Sequence, residues 1–343
     1  MRTVFFLLAT IILAVFILMK GKFVFAPLVL AAFLAILISP MVKFLEGNKV
    51  WKSVSVVITV ALFFSVLAGL FISMVMQYNG MIEEMPSFTT KLDQYVSQIR
   101  EVLSTQLGVS KSFISNSAEQ LKEGSQSQAG DLFGALFMSL SSFLSFIILL
   151  PVFTFLMLYY RDSFRAFVKN LSQQYSEVTF VRWIKTISEI QGVVRSYLTG
   201  LLYITLILAT LNTIGLLVLG VPYAFILGIS AAILSIIPYL GNLLGGGLAA
   251  LLALATSGEW TALGVVILFG VIQALEGNLI TPKVMGNQVG VNPLVVILAL
   301  LIGGYIWGII GMIVSVPAVA ILKVLLDEKE ELKPFANLIE GNE

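Results

Sequence analysis

SYLTGLLYITLILATLNTIGLLVL, residues 196–219, is a run of 24 residues without one charged side chain. A bilayer core about 30 Å thick takes roughly 20 residues of α-helix, so a run of this length crosses it once. Outward from it the aversion to charge persists: between Ser196 and Leu322 only Glu259, Glu276 and Lys283 are charged. The chain of 343 residues is 58% hydrophobic and 11% charged, whereas soluble domains carry about 25% charged residues. Mean hydropathy is +1.00. The pattern predicts an all-α polytopic membrane protein. A transmembrane barrel would alternate over segments of about ten residues, and this sequence does not.

Apolar runs predict full spans over 4–19, 23–38, 54–76, 132–160, 196–219, 260–275, 293–305 and 309–326, about eight transmembrane helices of bilayer length. Two further runs, 223–237 and 243–256, are short for crossings and meet at Pro238-Tyr239-Leu240-Gly241-Asn242. They read as a re-entrant or short-helix hairpin, or as two thin spans. The first run follows a basic start like a signal peptide, but no small-x-small cleavage site follows it, so it reads as a retained anchor.

The chain then divides into six stretches. Residues 1–76 form a three-span segment, and 77–131 an extramembrane piece of helix and loop. In the latter Phe88, Leu92, Tyr95, Ile99 and Val102 keep helical spacing. Residues 132–160 are the fourth span, kinked at Pro151. Residues 161–195, with six basic and three acidic side chains, read as a basic amphipathic segment, either lying along the cytoplasmic interface or packed as a soluble hairpin beneath the bundle. Residues 196–326 are a C-terminal transmembrane bundle, and 327–343 a solvated cytoplasmic tail. Basic residues favour the cytoplasmic side. Lys43, Lys49, Lys52 and the 161–195 block outweigh Lys20 and Lys22, which places both termini inside and 77–131 outside.

Several chemistries are excluded by composition. Cysteine and histidine are absent, which removes disulfides, thiol catalysis and most transition-metal sites. No nucleophile–base pair or cofactor motif is legible, so neither an enzyme nor a cofactor is expected. Net charge +1 gives no reason for a nucleic-acid partner.

Candidate functional residues cluster in LEGNLITPKVMGNQVGVNPL, residues 275–294, and at the turn near 240. A charge at the bilayer centre costs about 2.5–3.5 kcal/mol, so Glu276 and Lys283 must pair, reach water or sit near an interface. Gln273 and Glu276 lie three apart on one helical face. Gly277 and Pro282 are expected to end that helix before Lys283. The stretch is either an ordinary cytoplasmic loop or a semi-buried loop lining a pathway, with Gln273, Glu276, Asn278, Lys283 and Asn242 facing solute. Pro238, Gly241, Gly245, Gly286 and Pro293 are further helix-breaking or packing positions. Gly241, Gly245, Ala249 and Ala253 recur every four residues, and Gly304, Gly308, Gly311 and Ser315 share another small-residue face. Small residues let helices approach closely in lipid; such contacts either pack or slide.

The segments SIIPYLGNLLGG and VIQALEGNLITPKVMGNQVGVNPL, with the spans that follow them, resemble the autoinducer-2 exporter family, also called PerM-type permeases. The E-G-N, P-x-x-M-G and N-P-L elements fall in family order. Asn242 stands where the family usually has proline, and Asn292 where it often has histidine. The resemblance implies a bacterial inner-membrane transporter that exports a small polar solute, possibly autoinducer-2 in quorum sensing, without ATP hydrolysis. It also implies a homo-oligomer, with a pentamer as the expected assembly. A Na⁺(Li⁺)/H⁺ antiporter and a non-transporting scaffold are the alternatives, with the lipid bilayer and a small solute or cation as partners.

Overall fold

The computed structural model describes residues 2–83, 149–172, 177–237, 241–285 and 290–341. Among these residues every regular element is helical. The chain opens with α1 (Arg2–Lys20), α2 (Lys22–Gly47) and α3 (Lys52–Glu83). Gly21 separates α1 from α2, and Lys49, in the left-handed region at φ 66, makes the turn into α3. After α4 (Leu149–Tyr159) and α5 (Arg161–Ser172) comes α6, Glu177–Val218. The short helix α7 (Ala224–Leu234), a π-helical turn (Gly241–Gly245) and α8 (Gly246–Ser257) follow. Then come α9 (Glu259–Leu275), a second π-helical turn (Glu276–Ile280) and α10 (Thr281–Met285). The chain finishes with α11 (Pro293–Trp307), α12 (Ile309–Asp327), a 3₁₀ turn (Glu330–Leu332) and α13 (Lys333–Glu340).

Five helical stretches are long and apolar enough to cross a membrane: Lys22–Gly47, Lys52–Met76, Val181–Val218, Glu259–Met285 and Ile309–Asp327. The expected count of eight is not reached among the described residues. The α11 helix, with 15 residues, is about 23 Å long at 1.5 Å per residue, short of the core thickness. Most of the expected fourth span and of the 77–131 segment lie outside the described residues. The stretches Ala224–Leu234 and Gly241–Ser257 are also short apolar helices; at 11 residues, α7 reaches only about 17 Å. These lengths favour a short-helix hairpin over two full crossings. Large side chains on the outer faces, such as Val218 at 81% and Trp260 at 85% exposure, suit hydrocarbon and not water.

Two sequence expectations change here. The boundary expected at Arg195/Ser196 does not exist in the backbone, because α6 is one helix of 42 residues, about 63 Å long. No proline interrupts it, so the shift from basic to apolar residues changes only the helix's surroundings. The 161–195 segment is therefore α5 plus the first part of α6. The tail, mostly exposed, is not a plain extension of the last span either. Beyond α12 an extended Lys329 (φ −119, ψ 122) redirects the chain, and Pro334 stands in the first turn of α13, where its missing N–H costs nothing. Ala336 is fully buried.

The helices group into two compact units interleaved along the chain. One comprises Met1–Leu67, Phe146–Ile204 and Gly277–Glu343. Within it α2 packs on α4, and Ile38 and Val42 of α2, Leu158 of α4 and Val56 of α3 share one buried cluster. Charge pairs join the helix ends: Arg161 Nη2 donates to both Glu46 carboxylate oxygens at 2.6 and 2.5 Å, and Lys52 donates to Asp162 at 2.5 Å. The hydrogen bond from Lys52 holds the Asp162 carboxyl below the usual aspartate range. Trp307 Nε1 donates to the Leu18 carbonyl at 2.9 Å, tying α11 to α1.

In the same unit the α11–α12 hairpin turns at Gly308, whose φ of 64 and ψ of −138 suit glycine alone. A Cβ on Gly303 would lie 2.5 Å from the Gly311 carbonyl oxygen and also overlap Ser315 Oγ, so here two backbones touch. The small-residue face expected from Gly304, Gly308, Gly311 and Ser315 thus crosses at Gly303 and Gly311. Gly304 faces only the flexible Met312 side chain.

The other unit comprises Ala68–Ser145 and Thr205–Glu276. Its core gathers Leu216, Leu227, Leu248, Leu252, Val265 and Phe269 around the small residues Ala224, Ala231, Ala249 and Ala253. A Cβ on Gly245 would strike Ala231, and one on Gly241 would overlap the Ser235 backbone. The Gly241–Gly245–Ala249–Ala253 stripe is therefore a packing face that seats the π turn and α8 on α7.

Candidate functional site

The polar site lies within this second unit and is made by the first π turn and the end of α9. Asn242 Nδ2 donates to Gln273 Oε1 at 2.5 Å and reaches Glu276 Oε2 at 3.4 Å. All three side chains are half-buried. The Asn242 Oδ1 is buried and has no partner among the described residues. An amide in an apolar setting with one atom unused is a docking point for a hydrogen-bond donor.

Helical geometry explains the placement. Gln273 and Glu276, three residues apart at the end of α9, project together toward Asn242. Gly241 and Gly245 allow the close approach to α7 that carries Asn242 inward. Both partners sit at π-helical turns, one over Gly241–Gly245 and the other opening at Glu276. A π turn adds a residue to the helical repeat and rotates the side chains beyond it, a device frequent at functional sites.

The expected helix break at Gly277 and Pro282 is corrected by the backbone. The helix continues through the π turn and α10 to Met285. The wider turn accommodates Pro282, which cannot donate to the preceding turn and would crowd the carbonyl four residues back in a regular helix. Gly277 is open around its Cβ position and acts as neither a break nor a close contact. Asn278 and Lys283 belong to the other unit, and both are exposed. Within the second unit the structure therefore brings together Asn242, Gln273 and Glu276. Pro293 begins α11, and Asn292 Oδ1 caps it by accepting from the Leu294 N–H at 2.9 Å. Pro238 and Gly286 lie outside the described residues.

Sequence reading missed Asn212. It is fully buried in α6, and neither its Nδ2 nor its Oδ1 has a partner among the described residues. The available signal was one amide in the middle of the charge-free run quoted above. A lone residue has no spacing to mark it, so it passed as part of a span.

Among the described residues no group of three or more acidic, histidine or cysteine side chains could hold a metal ion. The site is built of amides and a carboxylate. It can hydrogen-bond a polar solute, and Glu276 offers a place for a cation or proton.

Comparison with known proteins agrees with the resemblance on the family and is coarser on the substrate. The profile of a family described as "AI-2E family transporter" matches residues 4–331. The chain is 30% identical over 336 residues to the "Putative transport protein YueF" of Bacillus subtilis, covering 91% of this chain and 89% of that protein. It is 26% identical over 309 residues to "Putative transport protein YrrI" of the same organism, covering 89% and 86%. The "AI-2 transport protein TqsA" of Escherichia coli is 26% identical over 311 residues, covering 89% and 86%. With the family profile matched over nearly its full length, this chain belongs to the AI-2E transporter family.

Proposed function

We propose that the protein exports a small polar solute across the bacterial inner membrane without hydrolysing ATP, with both termini cytoplasmic and Asn242, Gln273 and Glu276 contacting the cargo. The observation that carries this reading is the unused Asn242 Oδ1 beside a half-buried amide and carboxylate. A solute hydroxyl donates to Oδ1, and its own oxygen competes for the Nδ2 that otherwise bridges Gln273 and Glu276. Short, interrupted helices around such a site suit alternating access, because irregular backbone at membrane depth is tolerated where it lines a cavity. Autoinducer-2 is the first solute to test, since one relative is described as its transporter.

The test is uptake of autoinducer-2 into proteoliposomes of purified protein, with and without a pH gradient. Glu276→Gln is expected to cut gradient-dependent flux about tenfold, the change produced by losing one interaction of ordinary strength, while the protein stays folded. Equal flux in both proteins removes Glu276 from the mechanism. Na⁺(Li⁺)/H⁺ antiport is the second reading, and it is favoured by one observation: Glu276 is a carboxylate within the apolar stretch Glu259–Met285. Collapse of a pH gradient by Na⁺ or Li⁺ but not K⁺, without solute, would establish it.

A further inference from the structure

Asn212 presents a physical problem that packing alone does not solve. It lies on the buried face of α6, four residues from Leu208 and four from Leu216, all three fully buried. The amide carries two N–H donors and an acceptor oxygen. None of them is used among the described residues, and the neighbouring Thr213 Oγ1 is also buried without a partner. An apolar residue would fill the same space without leaving hydrogen bonds unmade.

Register places this amide near the proposed site. A Cβ on Gly215 would meet Leu268, and one on Gly264 would meet Leu219, so α6 and α9 run antiparallel. Along the axis Asn212 is then level with Val271 and Ile272, less than one helical turn, or ~5 Å of rise, from the level of Gln273. Beside it α7 rests on the Thr213 backbone through Gly228, and α7 in turn seats the π turn through Ala231 against Gly245 and Ser235 against Gly241. The backbone contacts themselves are made by small residues that let the helices approach closely, with Leu216, Leu227 and Leu248 of the core packed around them, and a shift there is the small sliding of packed helices seen in shear motions.

We propose that Asn212 is a second hydrogen-bonding station on the solute path, engaged when the α7–α8 hairpin shifts off it. Its ligand is a neutral hydroxyl- or carbonyl-bearing solute, or the water that precedes it. A bare cation is not what this residue suits, because one neutral amide oxygen supplies a single ligand where hard cations take about six or more. The inference rests on the transport reading above and adds a station to that path. It also assigns Asn212 a conformational part: an unmade set of hydrogen bonds disfavours the closed arrangement, so the amide biases the hairpin toward the wet one.

The test exploits the absence of native cysteine. Asn212→Cys and, as a control, Leu216→Cys are reconstituted in liposomes and treated with 2-aminoethyl methanethiosulfonate. Cysteine at 212 is expected to react at least tenfold faster than cysteine at 216, and autoinducer-2 to slow it. Asn212→Leu is expected to keep or raise the melting temperature and to lower autoinducer-2 flux about tenfold, with Asn212→Ser retaining part of the flux. Cysteine at 212 as inert as at 216, or undiminished flux in Asn212→Leu, overturns the proposal. Labelling at 212 that water supports but the solute does not slow, in a protein that moves no autoinducer-2, leaves the wet station standing and rejects autoinducer-2 as the cargo.

Discussion

At the scale of the residue, Asn242 holds Gln273 and Glu276 with a single amide group, and the strength of that hold decides what its loss does. Hydrogen bonds between membrane helices average about 0.6 kcal/mol, small beside a folding stability of roughly 5–15 kcal/mol. Asn242→Ala should therefore leave the protein folded, with a melting temperature within a few degrees of the parent, while raising the KM for solute several-fold. A collapse of the folded state instead would make the amide a structural pin.

The exposed pair of Lys52 and Asp162 is a contrasting case. The Asp162 carboxyl is held below its ordinary range chiefly by the Lys52 hydrogen bond. Its folded pKa is lower than its unfolded one, so its contribution is fully present above about pH 4. That contribution fades as pH falls through the folded value. Screening keeps an exposed pair below about 1 kcal/mol. Denaturant titrations of the parent and Asp162→Asn should differ slightly at pH 6, with the gap narrowing as pH falls below about 4; a gap that widens in acid would contradict the assignment. The i,i+3 pairing of Gln273 and Glu276 was legible in sequence because spacing encodes it. Their partner was not, because Asn242 lies 31 residues before Gln273 in the chain and only the packing of a hairpin brings it near.

At the scale of the element, apolar length was the readable quantity and backbone continuity was not. The charge-free run from Ser196 was found, yet the helix containing it begins at Glu177, because a basic stretch and an apolar stretch can share one rod. Gly277 and Pro282 were read as a stop, and a π turn carried the helix past them. Propensity alone does not distinguish a break from a widened turn. Glycine periodicity pointed to the α11–α12 contact but selected Gly304, one position from the true crossing. This separation is measurable. Gly303→Ala drives a methyl group into the Gly311 carbonyl and should cost about 1–3 kcal/mol, as overpacking does. Gly304→Ala only moves the end of Met312 and should cost less than about 1 kcal/mol. Thermal unfolding in detergent ranks the two, and equal melting temperatures would disprove the backbone-on-backbone crossing.

At the scale of the whole molecule, the sequence revealed the solvent before it revealed the fold. Composition alone implied lipid, whereas the interleaving of two units along the chain depends on contacts between distant segments, which no local pattern records. The tail shows this best. Read as a charged and solvated end, residues 333–340 are mostly exposed and also fold back within their unit as α13. The Ile339 carbonyl accepts from the Asn292 N–H at 2.7 Å, and Lys323 pairs with Glu340 at 2.8 Å. Gly290, at φ 45, lies where a Cβ would come within 3.2 Å of Lys323 Nζ. The tail thus secures the residues that cap α11, in the N-P-L element on which the family resemblance drew. A chain ending at Leu332 loses the acceptor for the Asn292 amide and the partner of Lys323. The Asn292 amide should then exchange with deuterium at least tenfold faster, because one hydrogen bond of about 1.4 kcal/mol corresponds to that factor. Amides within α12 should keep their protection, since the backbone bonds of that helix do not involve the tail. Unchanged exchange at Asn292 would mean that α11 is held by its own Asn292 cap and by α1 through Trp307, with the tail merely resting against it.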